Sequence, residues 1–137
     1  MTLTRVWPDS IPLFWSEIVP IIQRALKHDY DKTNPADLLK RFMLGTFQLW
    51  AFFSETASID CVVVTEILEF PNKSKLHVFL WASVDGAGGD KYYTLGIPVL
   101  TEFAREHNCS CLQAYCRKGL ARKLDWDYSQ CIITKTI

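Results

Sequence analysis

The sequence of 137 residues lacks an excess of charge of either sign. Fifteen basic and fifteen acidic side chains cancel, so the chain has no net positive field with which to gather the phosphates of a nucleic acid. It also lacks an apolar run long enough to span a bilayer, and its first ten residues lack the charged-then-apolar order of a signal peptide. We therefore expect a soluble intracellular protein that binds no nucleic acid and does not span a membrane.

Cysteine clusters with the spacing of metal ligands are missing as well. The five cysteines are an odd number, and Cys109, Cys111 and Cys116 have no second cluster with which to complete a zinc site. Reduced thiols inside apolar runs behave as small hydrophobic side chains. The cysteine pattern therefore predicts a reducing compartment and no metal centre.

Apolar residues, in contrast, are plentiful. They make up 49% of the chain, and aromatic residues make up 13%, which suffices for one ordinary hydrophobic core in a chain of this length. No internal repeat or low-complexity segment interrupts the sequence. We therefore expect a single domain over residues 1–137.

Two helices are predicted in the first third of the chain. Apolar residues recur at three- and four-residue steps over residues 11–27, and Pro20 inside this stretch predicts a kink. Asn34 as N-cap and Pro35 at the first helical position are a strong start signal for a second helix, which Gly45 ends.

Strand patterns dominate the remainder of the sequence. A short strand is expected over residues 3–7, and "FQLWAFF", "IDCVVVTEILEF" and "KLHVFLWASV" predict a three-strand meander, separated by turns at "SETAS" and "PNKSK". "CSCLQAYC" predicts a strand, "RKGLARKLDW" a short helix and "SQCIITKTI" a closing strand. The fold class is α/β (α+β), a mixed and mostly antiparallel sheet with helices on both faces. Ile59–Leu68 and Leu76–Ser83 should be central antiparallel neighbours.

A glycine-rich turn, "DGAGGDK", joins the meander to a third helix. Helical spacing predicts this helix over residues 90–108, with Asp90 as its N-cap, packed on one face of the sheet. Pro98 lies inside it and predicts either a kink or a late start near Gly96. The helix and the strand after it form a β-α-β crossover.

This element order resembles the fold of the Gcn5-related N-acetyltransferases (GNAT) over nearly the whole chain. The phrases "FQLWAFF", "VVVTEI", "FAREHNC" and "YCRKGLARKL" further resemble small GNAT-like proteins of short-tailed bacteriophages. In active members of the family, the loop before the long helix holds the pyrophosphate of acetyl-coenzyme A. Backbone amides and the helix dipole favour an anion there.

The resemblance places the coenzyme loop at Gly86, Gly88, Gly89 and Lys91. The glycines permit a close approach of the backbone. However, the basic or amide residue that opens the family's loop is missing. Asp85 and Asp90 flank the loop, and their carboxylates would repel phosphate. We therefore predict a capped turn whose coenzyme site is degenerate.

Two residues are candidates for catalysis. Glu66 interrupts an apolar strand, where a raised pKa would suit a general base. The alternative is a structural side chain at the solvent side or a strand end, or paired with Lys75 or His77 on the neighbouring strand. The family's general acid is a Tyr in a later helix. Here that position falls on Leu124 or Asp125, so Tyr128 is a candidate acid only in a shifted register.

The scattered histidines form no recognisable catalytic spacing. His28, His77 and His107 show neither a Ser-His-Asp nor a Cys-His arrangement in the sequence. We expect each of them at a helix end or on the surface.

Two classes of function follow. The first is an acetyl-coenzyme A-dependent N-acetyltransferase, which the fold and the glycine turn favour. The second is a phage-encoded GNAT-like protein that serves as a virion structural or assembly component, with no coenzyme. Because the loop is acidic and the helix Tyr is absent, the second is the expected function and the first is the alternative. The partners would be other phage structural proteins or further copies of the chain, in the host cytoplasm and the virion.

Overall fold

The computed structural model describes residues 2–27, 33–84, 89–114, 124 and 126. Within these residues the elements, in chain order, are β1 (Leu3–Val6), α1 (Ile11–Leu26), α2 (Pro35–Leu44), β2 (Phe47–Phe53), β3 (Ile59–Phe70), β4 (Lys73–Ser83), α3 (Gly89–Glu106) and β5 (Cys109–Ala114). The strands form one sheet in the order β1-β2-β3-β4-β5. The first four pair antiparallel, and β4 pairs parallel with β5 through the crossover helix α3. The predicted mixed sheet is confirmed.

Local signals determine the bounds of α2. The Asn34 side chain accepts a hydrogen bond from the Asp37 backbone N–H at 2.9 Å, and the Asp37 carboxylate accepts one from the Asn34 N–H at 3.3 Å. This reciprocal capping box satisfies two backbone donors at the start of the helix. Gly45 ends the helix in the left-handed region, with φ of 79°.

A hydrophobic cluster covers each face of the sheet. On the α1–α2 face, side chains of both helices pack on inward residues of β2, β3 and β4; its members include Ile18, Ile22, Leu38, Phe42, Val62 and Val64. On the α3 face, the cluster includes Phe52, Val63, Leu76, Leu100 and Phe103. Successive valines of β3 alternate between the two clusters, as the two-residue period of a strand requires. The prediction of helices on both faces is confirmed.

The β3–β4 pairing contains a one-residue irregularity at Phe79. Val64 pairs with Leu80, whereas Thr65 pairs with Val78, so Phe79 is an extra residue on β4. A bulge of this kind bends its strand and redirects the side chains that follow it. Phe79 and Leu80 accordingly both pack against the cluster of the α1–α2 face.

Several predicted bounds are wrong. The segment "PNKSK" is not a turn throughout, because β4 already begins at Lys73. The third helix begins at Gly89, so Asp90 lies within its first turn and is not the N-cap. It continues through Pro98, so a late start near Gly96 is wrong, and it ends at Glu106 rather than at residue 108. The kinks at Pro20 and Pro98 stay predictions.

The end of the chain is described at two positions only. The predicted helix over residues 117–126 lies outside the described residues except for Leu124 and Trp126, and the predicted closing strand lies outside them entirely. Among the described helices, none has the length and apolar character needed to cross a membrane.

Candidate functional site

Strand β5 is described along the first half of β4. In the described part of the chain, their pairing runs from Ser74 opposite Cys109 to Val78 opposite Ala114, while β4 continues to Ser83. The last pair stands directly before the bulge at Phe79. Residues 115–123, which follow β5, lie outside the described residues.

A mainly apolar cavity of about 180 Å³ lies beside the second half of β4. Its walls come from β4, α3, β5 and the two described residues of the chain end: Val78, Phe79, Leu80, Trp81, Tyr93, Ile97, Leu100, Leu112, Ala114, Leu124 and Trp126. The three α3 residues are spaced by four and three, which places them on one face of the helix. The cavity has the mainly hydrophobic lining that is typical of ligand sites.

Trp81 forms one wall of the cavity, and Gly96 leaves room for it. A Cβ on residue 96 would lie 2.8 Å from Cη2 of the indole and 3.1 Å from Cζ2, so only glycine fits without movement. On the same helix, the ring of Tyr93 lies 5.0 Å from that of Trp81. The Trp81 Nε1 is buried and has no hydrogen-bond partner among the described residues, an arrangement that costs stability unless a ligand or water accepts the bond.

A row of side chains crosses four strands on the α1–α2 face of the sheet, and none of them lines the cavity. Phe47 of β2 pairs with Glu66 of β3, Glu66 pairs with His77 of β4, and His77 pairs with Gln113 of β5. Phe47 belongs to the cluster of the α1–α2 face, and cross-strand partners share a face. Glu66 and His77 therefore lie together on that face, one residue before the last β4–β5 pair.

Burial shifts the pKa values of Glu66 and His77 in the directions that favour their neutral forms. Partial burial raises the pKa of Glu66, and the positive charge of Arg41 on α2 opposes this with a smaller effect. Burial lowers the pKa of His77, which is only 4% exposed. Burial therefore makes the Glu66 carboxylate a stronger proton acceptor than an exposed carboxylate, and it makes the His77 imidazole a weaker one.

Gln113 orients the imidazole of His77. Its Nε2 lies 3.2 Å from His77 Nδ1. An amide nitrogen only donates, so Nδ1 accepts and the neutral ring carries its proton on Nε2. The expectation of His77 at a helix end or on the surface is wrong, because the residue sits in the middle of β4. His107 does lie at a helix end, where its Nδ1 is 2.9 Å from the Phe103 carbonyl.

The predicted site residues are only partly brought together. Glu66 lies opposite His77, which the sequence had offered as one of its alternatives. Gly89 is the first residue of α3, and Lys91 is exposed on the first turn with its Nζ 5.0 Å from the ring centroid of Tyr92. Gly86, Gly88 and Tyr128 lie outside the described residues, as do Asp85 and Asp125.

Three contributors were missed at the sequence level: Phe79, Trp81 and Gly96. A glycine inside a helical pattern was the one local signal, because it often marks a close approach by another group. The bulge and the cross-strand register involve residues that are distant in the chain. No local sequence pattern therefore indicates them.

Comparison with known proteins identifies the fold. No protein-family model and no curated protein sequence match the chain. Several solved structures do match the chain. An aminoglycoside acetyltransferase from an uncultured soil metagenomic sample matches with a TM-score of 0.72 and 12% identity, and the match covers 99% of this chain and 94% of the other. A ribosomal-protein-alanine N-acetyltransferase from Brucella melitensis matches with a TM-score of 0.69 at 15% identity, over 98% and 100%.

A third structure, a GNAT family acetyltransferase from Staphylococcus aureus, has a TM-score of 0.72 at 14% identity and covers both chains completely. Identities this low establish the fold and not the activity. The chain has a GNAT-like fold.

Proposed function

We propose that the protein is an N-acyltransferase that takes its acyl group from a coenzyme A thioester. The observation that carries the proposal is the mainly apolar cavity that β4, α3 and β5 line in a GNAT-like fold. Glu66 and His77 lie on the other face of the sheet, next to the part of β4 that lines the cavity. Transfer of an acyl group to an amine requires a binding space for that group and a proton acceptor that reaches the amine. In this proposal the amine approaches from the α1–α2 face, where Glu66 lies.

The residues at the cavity fit the acyl end of such a coenzyme. Its walls are mainly apolar side chains of β4, α3 and β5. When bound, coenzyme A supplies the acyl group activated as a thioester. The phosphate end fits less well, because Asp85 and Asp90 flank the glycine turn with Lys91 as the nearest compensating cation. This combination supports weak binding of the short acetyl thioester.

Glu66 is the proposed general base. An amine is protonated at neutral pH and must lose a proton before it can react as a nucleophile. The raised pKa of the Glu66 carboxylate makes it a better proton acceptor than an ordinary surface carboxylate. His77 lies opposite Glu66, and its Nδ1 accepts a hydrogen bond from Gln113. Tyr128 as general acid stays a prediction.

The test is thiol release from acetyl-coenzyme A at millimolar concentration, with a panel of primary amines as acceptors. We expect release that depends on the amine and that Glu66→Gln abolishes while binding persists. Glu69→Gln is the matched control, because Glu69 is exposed near the end of the same strand. Amine-independent release, or equal rates for the two variants, would contradict the role of Glu66.

A second candidate is a GNAT-like module without catalytic activity. The carboxylates of Asp85 and Asp90, at a place where the family binds phosphates, favour it. Its role as a structural or assembly component of a phage particle stays a prediction, as do its partners and location. No binding of any coenzyme A thioester, even after both aspartates are replaced, would favour this candidate over the first.

A further inference from the structure

We propose that Arg5 of β1 and Gln48 of β2 form a binding site for a carboxylate that is carried on an aromatic or apolar body. The site lies on the α3 face at the outer edge of the sheet. The terminal nitrogens of the guanidinium and the amide nitrogen of Gln48 hold the carboxylate, and its body lies against the exposed ring of Trp7. None of these three residues lines the proposed coenzyme cavity, so the two sites are separate.

Arg5 is a cation without an acidic partner in the described part of the chain. The ion pair found there joins Arg105 to Glu102, and the Arg5 guanidinium forms neither an ion pair nor a hydrogen bond with the described residues. Burial lowers the pKa of Arg5, and no charged neighbour among these residues offsets the effect. A partly buried charge without a partner is costly. A bound anion would reduce this cost.

Two aromatic rings hold the guanidinium of Arg5. Its Cζ lies 3.8 Å from the ring centroid of Trp7 and 5.5 Å from that of Phe103. Nε has no accessible surface and therefore cannot meet a ligand, whereas the two Nη atoms lack a partner but are not shut off from solvent. The open end of the guanidinium is thus the planar fork that binds a carboxylate through two parallel hydrogen bonds.

Gln48 supplies further donors. The Trp50 Nε1 donates to the Thr65 hydroxyl at 2.9 Å, and this hydroxyl donates to Gln48 Oε1 at 2.9 Å. Because an indole N–H only donates, the direction of this chain is fixed, and the amide nitrogen of Gln48 stands at its end. Gln48 is only 6% exposed, yet its Nε2 is not among the described atoms that are both unpartnered and shut off from solvent. Two open N–H donors therefore end the chain.

Strand register brings the two groups together. Arg5 pairs with Trp50, so Gln48, two residues before Trp50, is a diagonal neighbour of Arg5. Trp50 belongs to the cluster of the α3 face, and residues two apart in a strand share a face. Diagonal neighbours are within reach of long side chains. Strand β1 is also the first in the order of the described sheet, which leaves its outer side open.

The chemistry of the site selects a carboxylate. The groups that meet solvent are N–H donors with a single positive charge, which matches a monoanion better than a dianionic phosphate. The Trp7 ring beside them is 59% exposed, and an aromatic or apolar body would cover it. A free organic acid and the carboxyl end of a polypeptide share this chemistry.

The experiment is an NMR titration of the full chain at constant ionic strength. Sodium phenylacetate represents the free acid, N-acetylphenylalanine represents the end of a polypeptide, and N-acetylphenylalaninamide is the neutral control. The readouts are the Trp7 indole N–H, assigned by its loss in Trp7→Phe, and the Arg5 Nε–H, assigned by its loss in Arg5→Lys.

We expect saturable shifts of both signals with a carboxylate at millimolar concentration, and at least about tenfold weaker binding of the amide. Both carboxylates support the site, and the one that binds more tightly identifies the source of its ligand. No saturable shift with either carboxylate, or equal binding of the amide, would overturn the inference.

Two variants test the donors. Arg5→Lys keeps the charge but loses the planar fork, and it should weaken binding by at least about tenfold, followed at the Trp7 indole. Arg24→Lys, the same change at an exposed position of α1, should leave the affinity unchanged. A folded Arg5→Lys variant that binds as tightly as the natural chain would overturn the site.

Gln48→Met keeps the length of the side chain and removes the amide. It should weaken binding by about three- to tenfold, and thermal unfolding checks that the variant folds. Unaltered affinity in the folded variant would overturn the role assigned to Gln48. If this variant does not fold, Arg5→Lys still decides the proposal, because Arg5 lies on the edge strand.

Discussion

Gly96 of α3 lies against the indole of Trp81 on β4, so close that a Cβ on residue 96 would stand 2.8 Å from Cη2. The absence of a side chain at this point lets the helix approach the sheet and lets the indole form a wall of the cavity. The contact therefore links the packing of α3 to the shape of the candidate site.

Replacement of Gly96 by Ala should destabilise the protein. Overpacking against Trp81 costs about 1–3 kcal/mol, and the higher helix propensity of Ala returns at most about 1 kcal/mol. We expect a net loss of about 1 kcal/mol, seen as a lower urea midpoint with an unchanged slope. Leu95→Ala, at an exposed position of the same helix, should stay within about 0.5 kcal/mol of the natural chain. A Gly96→Ala variant as stable as the natural chain would contradict the close contact.

Loss of the capping box should weaken α2. Asn34→Ala removes the acceptor for the Asp37 N–H, which should cost about 1 kcal/mol of the free energy of unfolding. The comparison is Lys40→Ala, an exposed position in the middle of the helix. Equal urea midpoints for the two variants would show that the cap contributes nothing measurable.

Glu66 should make stability fall as pH rises. Because burial raises its pKa in the folded state, the folded protein holds this proton more tightly than the unfolded chain. Stability is therefore lost between the ordinary carboxyl pKa and the raised one. The natural chain should lose this contribution as the pH rises from about 4 to about 8, whereas the Glu66→Gln variant has no such group to titrate. The free energy of unfolding of the variant, minus that of the natural chain, should therefore increase over this range. Urea unfolding across this range measures the difference, and a constant difference would contradict the raised pKa.

His77 should have the opposite pH dependence. Its pKa is lowered in the folded state by burial, so the unfolded chain takes up the proton first. Stability is then lost as the pH falls through the ordinary histidine pKa, from about 7.5 to about 5.5. His77→Gln should lose less stability over this interval than the natural chain. Equal losses, measured by urea unfolding at each pH, would show that His77 does not contribute.

Removal of the loop carboxylates should improve coenzyme binding. The natural chain should not saturate with acetyl-coenzyme A at submillimolar concentration. Asp85→Arg with Asp90→Gly should strengthen binding by more than about tenfold, since each repulsion costs on the order of 1 kcal/mol. Glu69→Arg with Glu106→Gly makes the same change in net charge at the other end of the sheet, where β3 and α3 end. Equal improvement in both double variants would mean that net charge, and not the loop, controls affinity.

The elements were predictable where their signals are local. Asn34, Pro35 and Gly45 fixed the bounds of α2 because caps act within a few residues. The segment "FQLWAFF" coincides with β2 because aromatic residues on both sides of a strand can be buried only between two layers. The alternation of Val62, Val63 and Val64 likewise indicated two covered faces.

The site was less predictable because it depends on register. Glu66 was singled out from the sequence, but its position opposite His77 depends on pairing across strands, and the bulge at Phe79 shifts that pairing by one residue. The contact between Gly96 and Trp81 joins residues from two elements. Asp90 was misplaced because helix ends are the least certain part of a sequence pattern.

The central claim is that the space beside β4 binds a coenzyme A thioester. The most direct test is calorimetric titration of the Asp85→Arg, Asp90→Gly variant with acetyl-coenzyme A up to millimolar concentration, because this variant removes the charge penalty and leaves the cavity intact. We predict saturable binding with one site per chain. A folded variant that shows no saturable heat with the acetyl thioester would contradict the claim.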